Sequence, residues 1–125
     1  MAHSPRFVAL VDRARERVTE TSPGAVRDRL PADDFTLIDV REPDEYAAGH
    51  LPGAVPMPRG VLERDVEAAV PELDAPVVLY CGGGYRSALA AASLGEMGYT
   101  DVSSMDGGWR AWTEAGYPTE GPDAA

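Results

Sequence analysis

Short apolar runs alternating with amphipathic segments predict an α/β fold in one domain: a central parallel sheet flanked by helices on both faces. Three observations carry that prediction. "FTLIDV" (35–40) and "PVVLY" (76–80) are near-continuous apolar runs, the pattern of strands covered on both sides. A helical pattern follows each of them after a turn. The 125 residues suit a single compact domain.

The elements follow in order. Residues 5–18 place Phe7, Leu10, Val11, Ala14 and Val18 on one stripe, with arginines and acids elsewhere, as an amphipathic helix does. Ser22 stands as an N-cap with Pro23 at the first helical position of a second helix. After the strand at 35–40, "EPDEYAAGH" reads as a turn and a short helix closed by Gly49. "LPGAVPMPRG" (51–60), with three prolines and two glycines, reads as loop. Residues 61–70 form a further helix ended by Pro71, and 76–80 a second buried strand. The alanine-rich 87–97 is helical and stops at Gly98. "DVSSM" is a short strand, and "GGWRAWTEAG" a last helix. The tail 119–125 reads as disordered.

Composition excludes several classes. A formal net charge of −10 argues against nucleic acid as a partner. No apolar stretch has the length of a membrane span, and the N-terminal residues lack an apolar signal core. One cysteine forms no internal disulfide, so a reducing, cytoplasmic setting is expected. With no second cysteine, no HExxH and two histidines, no metal site or other cofactor is expected. All eleven basic residues are arginines, which fits the codon usage of a GC-rich bacterial genome and carries no functional information.

The chemistry concentrates in "YCGGGYRS" (80–87). Ligands of parallel sheets bind just beyond the carboxyl ends of the strands, and Cys81 stands there. A short glycine-rich turn into a helix aims several backbone N–H groups at one point, and the helix start adds the positive end of its dipole. An anion is favoured in such a nest, and so is a thiolate. Gly82, Gly83, Gly84, Tyr85, Arg86 and Ser87 are therefore the candidate anion- and substrate-binding residues around a nucleophilic Cys81. The competing reading is a buried, inert strand-end cysteine beside an ordinary turn. A phosphate-binding P-loop does not fit, because no Gly-Lys-Ser/Thr follows the turn.

In four stretches the chain resembles the rhodanese family of sulfurtransferases: "LIDVREPDEYAAGHLPGA" (37–54), "VVLYCGGGYRSALAA" (77–91), "MDGGWRAW" (105–112) and the late "GYP". The resemblance covers 18–118, a rhodanese-like domain, and leaves 1–17 as an N-terminal helical extension. It implies that Cys81 attacks the outer sulfur of thiosulfate or of a persulfide donor. The resulting persulfide then passes its sulfur to a thiol, to cyanide or to a sulfur-relay protein. Four residues separate Cys81 from Arg86. That six-residue loop resembles the sulfurtransferase branch, whereas related phosphatases and arsenate reductases use Cys-x5-Arg. Many active thiosulfate enzymes carry a basic residue after the cysteine. Gly82 stands there instead, which turns the expectation toward persulfide donors. The alternatives are a catalytically silent binding or regulatory module and, behind it, arsenate reductase or phosphatase chemistry.

Four residues are candidates for the ring behind the loop. Asp39 either orients the loop amides or Arg86, or caps a turn. Arg41 is expected in an ion pair with Glu45. Arg59 stands in a loop near the mouth, exposed or in contact with substrate. Trp109 walls the pocket with Tyr85, while Trp112 belongs to the core. His50 holds its loop by hydrogen bonds. The N-terminal stripe packs on its own domain or serves a dimer or partner, so the expectation is a monomer or homodimer.

Overall fold

The computed structural model describes residues 3–122. Its elements are α1 (Pro5–Arg15), β1 (Thr19–Thr21), α2 (Pro23–Arg29), β2 (Thr36–Asp39), α3 (Pro43–Ala48), β3 (Val55–Pro56), α4 (Leu62–Ala69), β4 (Val77–Tyr80), α5 (Tyr85–Glu96), β5 (Val102–Met105) and α6 (Gly108–Glu114). The five strands form one all-parallel sheet in the order β1-β5-β4-β2-β3. β4, the most apolar strand, lies at its centre, hydrogen-bonded to β2 and β5, and all four of its residues are buried.

The period of two along β4 divides the core. Val77, Leu79 and Cys81 face a cluster built with Leu62 and Val66 of α4 and Ala90, Ala91 and Leu94 of α5. Val78 and Tyr80 face the opposite cluster, with Val26 of α2 and Trp112 of α6. The thiol thus leaves the sheet on the α5 side. Two start signals hold as read: Ser22 accepts from the Ala25 N–H at 3.1 Å, and Pro23 opens α2. Trp112 is fully buried.

Two strands lie where no strand is expected. β1 is Thr-Glu-Thr with two exposed residues, and β3 is Val-Pro, exposed throughout. Both are sheet edges, where one face needs no apolar cover and a proline loses no ladder bond. The expected first helix, 5–18, ends at Arg15, and the helix expected from 87 begins two residues earlier at Tyr85. In the tail, Glu120 exchanges both backbone hydrogen bonds with His50, at 2.8 and 2.9 Å. Glu120 is thus bonded to the body of the protein, while 123–125 lie outside the described residues.

Candidate active site

Cys81 follows directly on β4, and its side chain is almost wholly buried at the head of α5. Its Sγ accepts from the Gly84 N–H at 3.1 Å and from the Ser87 N–H at 3.4 Å. The thiol donates to Ser87 Oγ at 3.5 Å, and that hydroxyl pairs with Ser104 Oγ at 2.8 Å. Once the thiol loses its proton, the Ser87 hydroxyl can turn and donate to the sulfur. Gly84, the N-cap of α5, has φ of 92°, a conformation glycine adopts without strain. That turn brings its own N–H onto the sulfur.

The loop's polarity is set from behind. The carbonyl oxygen of Cys81 accepts from Trp109 N–H at 2.8 Å, and that of Gly82 from Arg110 N–H at 3.0 Å. The Gly84 carbonyl accepts from Arg15 Nη2 at 3.4 Å. Three carbonyls are therefore held outward, while the N–H groups of Gly82 and Gly83 have no protein acceptor among the described residues. The arrangement leaves donors, not acceptors, for an incoming anion. The "GGW" at the start of α6 makes it possible, since Gly108 lies against the loop so closely that a Cβ would collide with the Cys81 carbonyl.

Over the thiol opens a cavity of about 900 Å³. Cys81, Gly82, Gly83, Tyr85 and Arg86 line it from the loop, with Glu45, Trp109 and Arg110 beside them. Gly84 and Ser87 serve it from underneath, through the sulfur. A smaller cavity of about 250 Å³ around Leu30, Asp33, Phe35 and Pro52 contains no cysteine. Among the described residues, no group of three or more histidines, cysteines or carboxylates could hold a metal ion.

The ring behind the loop differs from the sequence expectation at Arg41 and Arg59, and for Asp39 it takes the second of the two readings, the turn cap. Asp39 meets neither the loop amides nor Arg86. It accepts from Arg41 Nη2 at 2.8 Å and from the Tyr80 hydroxyl at 2.7 Å, and it caps the turn by taking the Arg41 N–H at 2.9 Å. Arg41 accordingly pairs with Asp39, not Glu45. It also donates to the Gly49 carbonyl at 2.6 Å and lies over the Trp109 ring at 4.7 Å. Burial works against its charge, but the Asp39 hydrogen bonds and charge outweigh it and hold the guanidinium pKa above its ordinary value. The Tyr80 hydroxyl is pushed strongly upward by burial and by the Asp39 charge. This buried unit braces Trp109 as a wall of the pocket. Gly49 fits it by space alone: its φ is extended, and a Cβ would press on the Trp109 ring at 3.1 Å.

Glu45 pairs instead with Arg86, Oε1 to Nη1 at 3.4 Å. Burial alone would raise the Glu45 carboxyl, yet the Glu42 N–H and the Arg86 guanidinium prevail and hold it below the usual range. Arg59 does not line the cavity. It reaches Glu63 at 2.7 Å and Ser93 Oγ at 3.2 Å, so α4 and α5 hold it. His50 Nδ1 lies 3.0 Å from the Tyr46 carbonyl, consistent with a role in holding its loop. Arg15, Arg110, Phe7 and His3 also reach the site. They escape sequence reasoning because only tertiary packing brings α1 and α6 to the loop.

Comparison with known proteins follows the same outline. The model of the rhodanese-like domain family matches residues 22–115. A thiosulfate sulfurtransferase GlpE of Pseudoalteromonas translucida is 39% identical over 88 residues, 70% of this chain and 81% of the relative. The polysulfide-sulfur transferase homodimer of Wolinella succinogenes superposes with a TM-score of 0.80 at 34% identity, over 94% of this chain and 89% of the other. A Rhodopseudomonas palustris protein described as of unknown function and a possible tyrosine phosphatase gives a TM-score of 0.84 at 31% identity, over 96% and 99%.

Proposed function

The chain belongs to the rhodanese-like domain family and is a sulfurtransferase of the thiosulfate type, and on that basis we propose that Cys81 carries the sulfur as a persulfide. A sulfur donor and a sulfur acceptor are its substrates. The observation that carries the assignment of Cys81 is its Sγ, held by the Gly84 and Ser87 N–H groups at the floor of the cavity. Those donors stabilise the thiolate.

The thiolate attacks the outer sulfur of thiosulfate. A new S–S bond forms to Cys81, the old one breaks, and sulfite leaves with its electron pair. The persulfide keeps one negative charge, which the free Gly82 and Gly83 N–H groups and Arg86 can receive. An acceptor thiolate or cyanide then attacks the outer sulfur, and Cys81 leaves as thiolate, closing a ping-pong cycle. Asp39, Arg41 and Trp109 support the wall and touch no reacting atom in this scheme, and Arg59 has no part in it. A persulfide of a small thiol or of a relay protein fits the same steps as donor. No helix of the described residues is long and apolar enough to cross a membrane. A lone thiol that must stay reduced suits the cytoplasm.

Intact-mass measurement after incubation with thiosulfate tests the assignment. The unaltered protein should gain the mass of one sulfur atom and lose it on adding cyanide. Cys81→Ser should fold, gain nothing and form no thiocyanate. Thiocyanate formation by that variant would move the chemistry away from Cys81.

A further inference from the structure

The cavity above Cys81 is far larger than thiosulfate requires. At about 900 Å³ it lies in the size range of sites that enclose drug-sized organic molecules. Part of its wall comes from the N-terminal segment that precedes the family match at residue 22. His3, Phe7 and Val8 line the cavity together with Tyr85 and Trp109. The Phe7 ring lies nearly parallel to that of Tyr85, centroids 5.9 Å apart, and the His3 ring is 4.3 Å from Tyr85. This wall is anchored. Val11 and Ala14 of α1 are buried, and Arg15 lies over the Tyr85 ring at 4.9 Å while it holds the Gly84 carbonyl.

Charge narrows the occupant further. With histidine counted as neutral, the cavity's lining carries Arg86 and Arg110 against Glu45 and the Cys81 thiolate, so its formal charges balance and leave no surplus to hold a dianion. The protein as a whole carries −10, which opposes a dianion more than a monoanion. The aromatic wall suits a flat apolar body, because rings in offset or tilted contact gain beyond their buried area.

Building on the persulfide reading of Cys81, we infer that residues 3–8 form a substrate-selecting wall. With Tyr85 and Trp109 it favours a singly charged organic sulfur donor with an aromatic or broad apolar body over small inorganic donors. For an arenethiosulfonate, the Cys81 thiolate attacks the terminal sulfur. The S–S bond to Cys81 forms, the bond to the sulfonyl sulfur breaks, and the arenesulfinate leaves with the electron pair. Charge is conserved, since one thiolate and one monoanion give one persulfide anion and one sulfinate.

The test compares benzenethiosulfonate, methanethiosulfonate and thiosulfate as donors to the full chain, with cyanide as acceptor and thiocyanate as readout. The first two carry the same charge and differ in the body alone. Their kcat/KM ratio is divided by the ratio of their rates with a free small thiol, which removes intrinsic reactivity. The corrected aryl preference should be about tenfold or more, the scale of burying one aromatic ring. Phe7→Ala should collapse it, and Phe7→Leu, which keeps an apolar side chain, should reduce it in part. Circular dichroism confirms that each variant is folded. Benzenesulfonate should also inhibit the unaltered protein more strongly than methanesulfonate, a reading that needs no variant. A corrected ratio near one, or a ratio indifferent to both Phe7 substitutions, overturns the inference while thiosulfate turnover leaves the sulfurtransferase reading standing. Failure of all three donors overturns the inference, and the persulfide reading of Cys81 falls with it when a small-thiol persulfide also leaves the cysteine without added sulfur.

Discussion

The backbone N–H of Trp109 donates to the carbonyl oxygen of Cys81 at 2.8 Å, so the first turn of α6 grips the back of the loop whose front holds the thiol. Contact this close requires residue 108 to have no side chain. Gly108 has φ of 56°, and a Cβ there would meet the Cys81 carbonyl and Gly82. Left-handed backbone alone costs a non-glycine residue about 1–3 kcal/mol, and forcing a methyl group into packed atoms adds about as much. Gly108→Ala should therefore lower stability in urea by about 2–5 kcal/mol. The folded fraction should lose most sulfur transfer, because the loop must retreat. Full activity in a stable variant would show that the grip of α6 does not set the loop.

Glu45 and Arg86 supply the second prediction. The pair is half-exposed, so its attraction contributes at most about 1 kcal/mol to stability. Its larger effect is on the anion site, because Glu45 offsets the charge that Arg86 presents at the mouth. Glu45→Gln should lower the KM for thiosulfate by about two- to fivefold, the scale of one unit charge at this distance in a wet site. A raised KM would mean that Glu45 acts by aiming Arg86. The pH dependence carries a defined sign. The native carboxyl titrates below its ordinary 4.5, so its contribution to stability is complete above 4.5 and is lost as pH falls through the lowered value. Urea midpoints of the native protein and of Glu45→Gln should therefore differ above pH 4.5 and converge below it.

Asp39 tests the scaffold. Its carboxylate is the counter-ion of the buried Arg41 and the acceptor of the Tyr80 hydroxyl. Removing one partner of a buried pair strands the other, at a cost of about 3–5 kcal/mol. Asp39→Ala should show that loss in urea unfolding, while folded protein below its midpoint keeps sulfur transfer to within a few-fold. A stable variant with abolished transfer would return Asp39 to the active loop.

The contrast between Asp39 and Cys81 shows what the sequence could convey. Cys81 is legible because everything that defines its surroundings is local: a buried strand, a glycine turn and a helix within eight residues. The outer strands are not, because Thr19–Thr21 and Val55–Pro56 bury no apolar face and so leave no periodic signal. Arg41 illustrates a different loss. On a helix its partner would be Glu45, four residues on, but α3 begins only at Pro43, and the bend that follows β2 brings Arg41 back onto Asp39. Phe7 sits on a readable amphipathic stripe, yet periodicity cannot say that part of this stripe faces a cavity rather than the core.

The short loop argues for sulfur rather than phosphorus chemistry, which bears on the possible tyrosine phosphatase whose fold this chain shares. Four residues lie between Cys81 and Arg86, and the loop closes on one atom: the Gly84 and Ser87 N–H groups both converge on Sγ. Transfer of a sulfur needs in-line approach to a single atom. A phosphoryl or arsenate group needs donors set around a tetrahedral oxyanion. The native protein should therefore turn over thiosulfate and leave an aryl phosphate essentially unhydrolysed. Inserting one glycine between Gly84 and Tyr85 should break the Gly84 contact with Sγ, because that contact depends on the φ of 92° at the helix cap. Thiosulfate turnover should fall by about tenfold to a hundredfold, up to the scale of losing one aimed donor. Phosphate and arsenate should become better competitive inhibitors as the cradle widens. Hydrolysis need not follow, since no carboxylic acid of the lining other than the Arg86-paired Glu45 stands ready to protonate a leaving group. Native aryl-phosphate hydrolysis comparable to thiosulfate turnover would overturn the loop-length argument. An insertion that leaves the anion preference unchanged would assign that preference to the side chains of Arg86 and Arg110 instead.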